Sequence, residues 1–222
     1  MGYQWNFEWL VGYLPIFAKG ISITLELIFV GAIVGVALGT ACAWVRALGP
    51  AWLKPVVALY VELIRNTPFL IQLFFIFFGL PSLGFKMNAL QAANLAMVIN
   101  LGAYSCEIIR AGIQATPRGQ FEAGQSLAMT SFQTFRYVVL IPALQRIWPA
   151  LSSQIVIVML GSSVVSQISV EDLTYASNFV QSRNFRAFET YIVATATYLV
   201  LSVLVRKLLQ GLGWVLFPKR AA

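Results

Sequence analysis

Five long runs of apolar residues, joined by short polar connections, constrain this chain more than any other feature of its sequence. They lie at about 21–45, 55–80, 87–109, 147–169 and 188–205, and only Glu26, Glu62, Arg65, Glu107 and Glu189 interrupt them with charge. A bilayer core about 30 Å thick takes about 20 apolar residues of helix at about 1.5 Å each. Composition agrees: 59% of the residues are hydrophobic and 10% charged, where a soluble domain carries about 25% charged residues. A soluble helical core is excluded because too little polar chain remains to cover it. The expected fold is an all-α membrane protein with five transmembrane helices, a single domain over 1–222.

Lysine and arginine set the expected orientation. With five spans, Arg46, Lys54, Arg110, Arg118, Arg136, Arg146, Arg206, Lys207, Lys219 and Arg220 fall on one side, and Lys19, Lys86, Arg183 and Arg186 on the other. The richer side should face the cytoplasm, which puts the N-terminus outside and the C-terminus inside. The net charge of +7 follows from this asymmetry. It requires no nucleic-acid partner and suits contact with anionic membrane lipid. Residues 1–8 lack the positive region of a cleavable signal peptide. The aromatic-rich N-terminal segment within 1–20, with Trp5, Phe7, Trp9, Tyr13 and Phe17, reads as a helix lying at the outer interface. Cys42 and Cys106 fall inside spans with no metal-ligand or disulfide spacing, so no metal site is expected.

Gly31, Gly35 and Gly39 line one face of the first run and invite close approach of another helix. Pro68 and Pro81 can kink or end the second. Glu62 and Arg65, and again Glu107 and Arg110, sit three residues apart on one helix face. Charges at membrane depth usually face an interior or a cavity. The four therefore either border a permeation route or form structural ion pairs, the latter favoured for Glu107 and Arg110. The longest polar stretch, 110–146, should form two short helices, the first started by Thr116-Pro117 and the second running from about Ser131 to Leu140 and stopping near Pro142. Such a hairpin can present a rigid knob to a soluble partner, or it can be a solvated surface element.

Residues Pro117-Arg118-Gly119-Gln120-Phe121-Glu122-Ala123-Gly124-Gln125-Ser126-Leu127-Ala128-Met129 resemble the coupling loop of binding-protein-dependent ABC importers. In that family the loop carries Glu-Ala-Ala, then a glycine, and later a turn ending in Leu-Pro. Glu122 and Ala123 match, Gly124 stands for the second alanine, Ala128 stands for the glycine, and Pro142 closes the pattern. The stretches from Val61 to Pro68, Ala103 to Gln114 and Gln181 to Glu189 are similar to the polar amino acid branch. The resemblance covers nearly the whole chain, and several separate motifs occur in the right order. One departure stands out. Relatives commonly carry a Lys-Asp pair where this chain has Leu160 and Gly161 before Ser162-Ser163. Either a second, different permease supplies those charges, or the substrate is less charged.

The resemblance implies a type I importer permease in the bacterial inner membrane. Two permease subunits, a heterodimer being favoured, would work with a dimer of ATPase subunits and a periplasmic binding protein. Glu122, Ala123, Gly124, Ala128 and Pro142 would serve coupling to the ATPase. Glu62, Arg65, Glu107 and Arg110 would border the substrate pathway, and Glu171, Asp172, Arg183 and Arg186 would receive the binding protein. The chain has no phosphate-binding loop, no lysine following a glycine, and no histidine. It is expected to bind no cofactor and to be no enzyme, with ATP and Mg used by the partner ATPase. A stand-alone channel or carrier is the alternative, but such carriers usually show internal repeats, and none is visible here.

Overall fold

The computed structural model describes residues 4–217 as helices and connections, with no strand among them. We number the helices α1 Leu10–Leu48, α2 Leu53–Arg65, α3 Phe69–Ser82, α4 Ala89–Gln114, α5 Arg118–Ser126, α6 Ser131–Ile168, α7 Leu173–Asn184 and α8 Ala187–Leu216. Four of them (α1, α4, α6 and α8) are long and apolar enough to cross a membrane, and α2 with α3 makes a fifth crossing if the bent pair counts as one span. The all-α membrane fold expected from the apolar runs is the fold observed.

Helix α4 is the axle. Its apolar window is 61% buried, against 11% for α8, so α4 packs inside the bundle and α8 outside. A capping box starts α4: Asn88 Oδ1 accepts from the Gln91 backbone N–H at 2.8 Å, and Gln91 Oε1 accepts from the Asn88 N–H at 3.0 Å. The glycine stripe of α1 faces α4. A Cβ at Gly31 would meet Met97 at 3.6 Å, one at Gly35 would meet Leu101 at 3.2 Å, and one at Gly39 would overlap Gly102 O at 2.8 Å. The two helices run in the same direction and are closest at Gly39, where no side chain fits.

Several helix bounds differ from those read in the sequence. Helix α1 begins at Leu10 and passes through Pro15 without a break. The segment within 1–20 is therefore no separate interfacial helix beyond Leu10. The apolar pattern does not stop at residue 20, and the side chain of Lys19, within the helix, reaches out to pair with Glu171. The run at 55–80 is two helices meeting at 111°. The helix beginning at Ser131 does not stop at Pro142. It carries a wide π turn at Thr134–Val139 just ahead of the proline, shifts its hydrogen-bond register there, and continues to Ile168. Helix α8 runs past residue 205 to Leu216, because Arg206 and Lys207 are exposed and cost the helix nothing.

Pro68 explains the sharpest of these bends. It has no N–H, so the Ile64 carbonyl four residues back loses its helical donor. Gln72, on the first turn of α3, supplies the replacement: its Nε2 donates to Ile64 O at 2.7 Å and to Thr67 O at 3.0 Å. Asn100 of α4 then donates to Gln72 Oε1 at 3.0 Å. A buried amide pair thus satisfies the broken span and ties it to the central helix.

Candidate functional site

Three features stand out: the α5 hairpin, an uncharged cavity at the break of the second span, and an arginine-rich cluster beside it.

Helix α5 is short and polar. Glu122 is exposed and is the sole carboxylate between residues 111 and 146. Leu127, 72% exposed, extends the same outer surface. The inner side is fixed by Gly124, which lies against Thr134 of α6 so closely that a Cβ would come within 2.7 Å of the Thr134 methyl. Gly124 therefore faces its own hairpin and does not offer a docking face outward. Thr116 is buried and donates to Gly112 O at 3.1 Å, closing α4, so it does not cap α5. Pro142 lies inside α6 and belongs to no hairpin end.

The end of α5 explains the remaining position of the motif. The Met129 N–H reaches Gly124 O at 3.1 Å and the Ala128 N–H reaches Gln125 O at 2.9 Å, the paired bonds of a Schellman cap. That cap needs a left-handed residue, and Ala128 has φ +54°. The glycine of the family pattern is thus a backbone requirement, not a means of close docking, and here alanine bears the strain. Ala128→Gly is expected to stabilise the hairpin by about 0.5–1 kcal/mol. Amide exchange over 118–126 should slow about threefold, and unchanged exchange would count against the strained cap.

The cavity, about 340 Å³, is lined by Thr67, Pro68, Asn100, Tyr104, Gln154 and Gly161 among others, and no charged side chain lines it. Asn100 in its wall donates behind it to Gln72. Gly161, one of the two positions that departs from the family's charged pair, is in this wall.

Glu107 collects three guanidinium groups. Arg46 pairs with it from α1, Arg110 Nη2 lies 2.7 Å away on the same helix, and Arg65 Nη1 lies 3.9 Å away from α2. Arg65 also stacks on Tyr104 with 5.5 Å to the ring centroid, so the cluster adjoins the cavity through that ring. The expected pair Glu107–Arg110 is present. The pair Glu62–Arg65 is not: Glu62 is exposed and accepts from Asn66 Nδ2 at 2.9 Å. Arg46 belongs to this cluster and is not among the residues singled out from the sequence. The signal was there, since it lies two turns beyond Gly39 on the face that meets α4.

The residues expected to receive the binding protein separate into two kinds. Glu171 and Arg183 are exposed, Glu171 paired with Lys19 and Arg183 over the Phe179 ring at 5.0 Å. Arg186 is half-buried and turns inward to Glu189 at 2.9 Å. Asp172 is fully buried and is no surface group. It caps α7, accepting from the Tyr175 N–H at 2.9 Å, and its second oxygen accepts from the Tyr198 hydroxyl at 3.2 Å. Burial pushes its carboxyl up to about 6 from 3.8, against the hydrogen bonds that favour the ion. For an acid raised in the folded state, the stabilisation is full below about pH 4 and is lost as pH rises through about 6. Two units correspond to roughly 2–3 kcal/mol. Asp172→Asn keeps the cap, so its thermal melting in detergent should vary less between pH 4.5 and 7 than that of the parent. An equal pH slope in both would remove Asp172 as the cause.

Comparison with known proteins gives the frame for these features. The family model described as the binding-protein-dependent transport system inner membrane component matches residues 15–212. The chain is 31% identical over 224 residues to the probable amino-acid ABC transporter permease protein y4tG of Sinorhizobium fredii, covering 99% of this chain and 96% of that protein. It is 32% identical over 215 residues to the glutamine transport system permease protein GlnP of Escherichia coli K12, covering 96% and 97%. Among solved structures it is similar to a chain of an amino acid ABC transporter crystallised with histidines, at 38% identity and TM-score 0.84, covering 95% and 99%. The MetNI methionine ABC transporter, at 22% identity and TM-score 0.73, shares the fold. The chain therefore belongs to the binding-protein-dependent transport system inner membrane components, and it is a multi-pass permease of that family.

Proposed function

We propose that this chain is the membrane subunit of an ATP-driven importer of polar amino acids, worked by alternating access and coupled through α5 to a separate ATPase. The observation that carries the reading is the α5 hairpin: a short polar helix, held from beneath by Gly124 on Thr134, that offers one unpaired-looking surface of Glu122, Ala123 and Leu127 between two long spans. With no phosphate-binding loop in its sequence, the chain would draw ATP energy through another chain. Rocking of rigid helix bundles is the general means by which such closure is passed on. In this reading the N-terminus lies outside and α5 in the cytoplasm, as the lysine and arginine asymmetry supports. The exposed Glu171 and Arg183 then face the binding protein, joined by Phe185, which is 86% exposed between α7 and α8.

The names of the relatives and the amide-lined, uncharged cavity support a neutral polar amino acid as substrate. A second, different permease would provide charged contacts that Leu160 and Gly161 cannot. The test is to tag the chain in its host, solubilise it gently and identify what co-purifies. An ATPase with a different permease supports the full reading, and an ATPase with this permease alone overturns the heterodimer. No ATPase in a folded preparation overturns the importer. In the assembled transporter, Asn100→Leu should lower uptake at least tenfold with assembly intact, because it uncouples Gln72 and closes the polar wall. Unchanged uptake would remove the cavity from the pathway.

A further inference from the structure

A cavity of about 650 Å³ lies in the cleft between α6 and α8 and has no part in the features above. The two helices are pinned by Trp148, whose indole N–H donates to Leu209 O at 2.8 Å and whose ring covers Gly213, where no Cβ would fit. Phe217 stacks edge-on against Trp148 at 5.4 Å. Along α8, Arg206, Gln210 and Gly213 share the face that lines the cleft, and Phe217 lines it just past the helix end. Ser152 and Ser153 of α6 stand in the same wall.

Two groups here want a partner. Ser152 is 5% exposed, yet its hydroxyl has no hydrogen-bond partner. Ser177 shows the usual helical solution, donating back to Leu173 O at 2.8 Å; Ser105 of α4 shares the lack of a partner but lies away from any cleft cation, whereas Ser152 stands in the wall that holds Arg206. Arg206 has no carboxylate paired with it among the described residues, and residues 190–217 hold no acid. It is also the first charge after the sixteen uncharged residues 190–205 of α8. At about 1.5 Å per residue that run nearly spans a bilayer core, which puts Arg206 at headgroup depth. Trp214 also lines the cleft and is 80% exposed, carrying its wall outward, an indole being typical of that depth.

We propose that this cleft binds an anionic phospholipid. Its phosphate would sit on Arg206 with the hydroxyls of Ser152 and Ser153, and an acyl chain would lie along the indole and phenyl surface. A cation, a buried unpaired donor and an apolar wall together select an anion carrying a tail.

The test is native mass spectrometry of the intact transporter, delipidated and then exposed to phosphatidylglycerol or phosphatidylcholine of identical chains. The parent should retain phosphatidylglycerol at least fivefold over phosphatidylcholine. Arg206→Gln and Ser152→Ala should each lower that preference, whereas Lys207→Gln, a neighbouring exposed cation outside the cleft, should keep it. Retained preference in both cleft variants overturns the site. A loss in Lys207→Gln as large as in Arg206→Gln overturns it in favour of unspecific surface charge. Full displacement of the lipid by millimolar inorganic phosphate overturns the lipid as the ligand and leaves a free-anion site.

Discussion

Glu122→Lys is expected to reduce substrate-stimulated ATP hydrolysis by the assembled transporter to its unstimulated rate, a loss of tenfold or more, while the chain still inserts and folds. The helix that carries Glu122 is anchored from the other side, through Gly124 and Thr134, so the substitution touches nothing that holds the hairpin together. Glu122 is exposed and is the sole acid between residues 111 and 146, in company with Arg118, Arg136 and Arg146. Its reversal therefore leaves that surface purely basic. Like charges brought together in a docked interface cost several kcal/mol, and about 1.4 kcal/mol is already a tenfold loss of affinity. Glu122→Gln, which removes the charge without opposing it, should retain part of the coupling. Stimulated hydrolysis at the parental rate in Glu122→Lys would sink the coupling role of α5.

The apolar runs disclosed the bundle because a bilayer imposes length and composition on whatever crosses it. What they could not disclose is where a helix bends. At 55–80 the run reads as one span, yet Pro68 removes a donor and Gln72 restores it from eight residues beyond Ile64, a repair that depends on the bend itself. The opposite holds at Pro142, where a wide turn absorbs the proline and the helix goes on. Helix boundaries in this chain follow from how the freed carbonyls are satisfied, and that is a property of the packed state.

The candidate site was legible to differing depth for the same reason. Residue type and spacing named the pair Glu107–Arg110, and the family resemblance named Glu122, residues whose parts rest on their own charge. They misjudged Asp172, since an acid beside Glu171 reads as surface, whereas its position at the start of α7 turns it inward to cap the helix and meet Tyr198. They did not disclose the structural parts of Gly124 and Ala128 either. A small residue in a motif invites a docking explanation, but one supplies clearance for Thr134 and the other a left-handed turn.

Glu107→Gln is expected to lower stability by about 2–3 kcal/mol, the largest loss from any single side chain of the cluster. Removing one partner of a buried ion pair costs about 3–5 kcal/mol because the other charge is left without compensation. The figure here is reduced because the partners are not fully buried: Glu107 is 17% exposed, Arg46 19%, Arg110 26% and Arg65 39%. Against that, one carboxylate serves three cations, so its loss leaves three guanidinium groups facing one another across α1, α2 and α4. The arginines should be far less sensitive, since removing one of them relieves repulsion among the rest. The double variant Glu107→Gln with Arg46→Gln should therefore melt above Glu107→Gln alone, although it lacks one more native contact. Non-additivity of that sign is the mark of residues in one network. Thermal unfolding of the four proteins in the same detergent completes the cycle. A double variant less stable than either single one would mean that Arg46 and Glu107 act separately and that the cluster is not a unit.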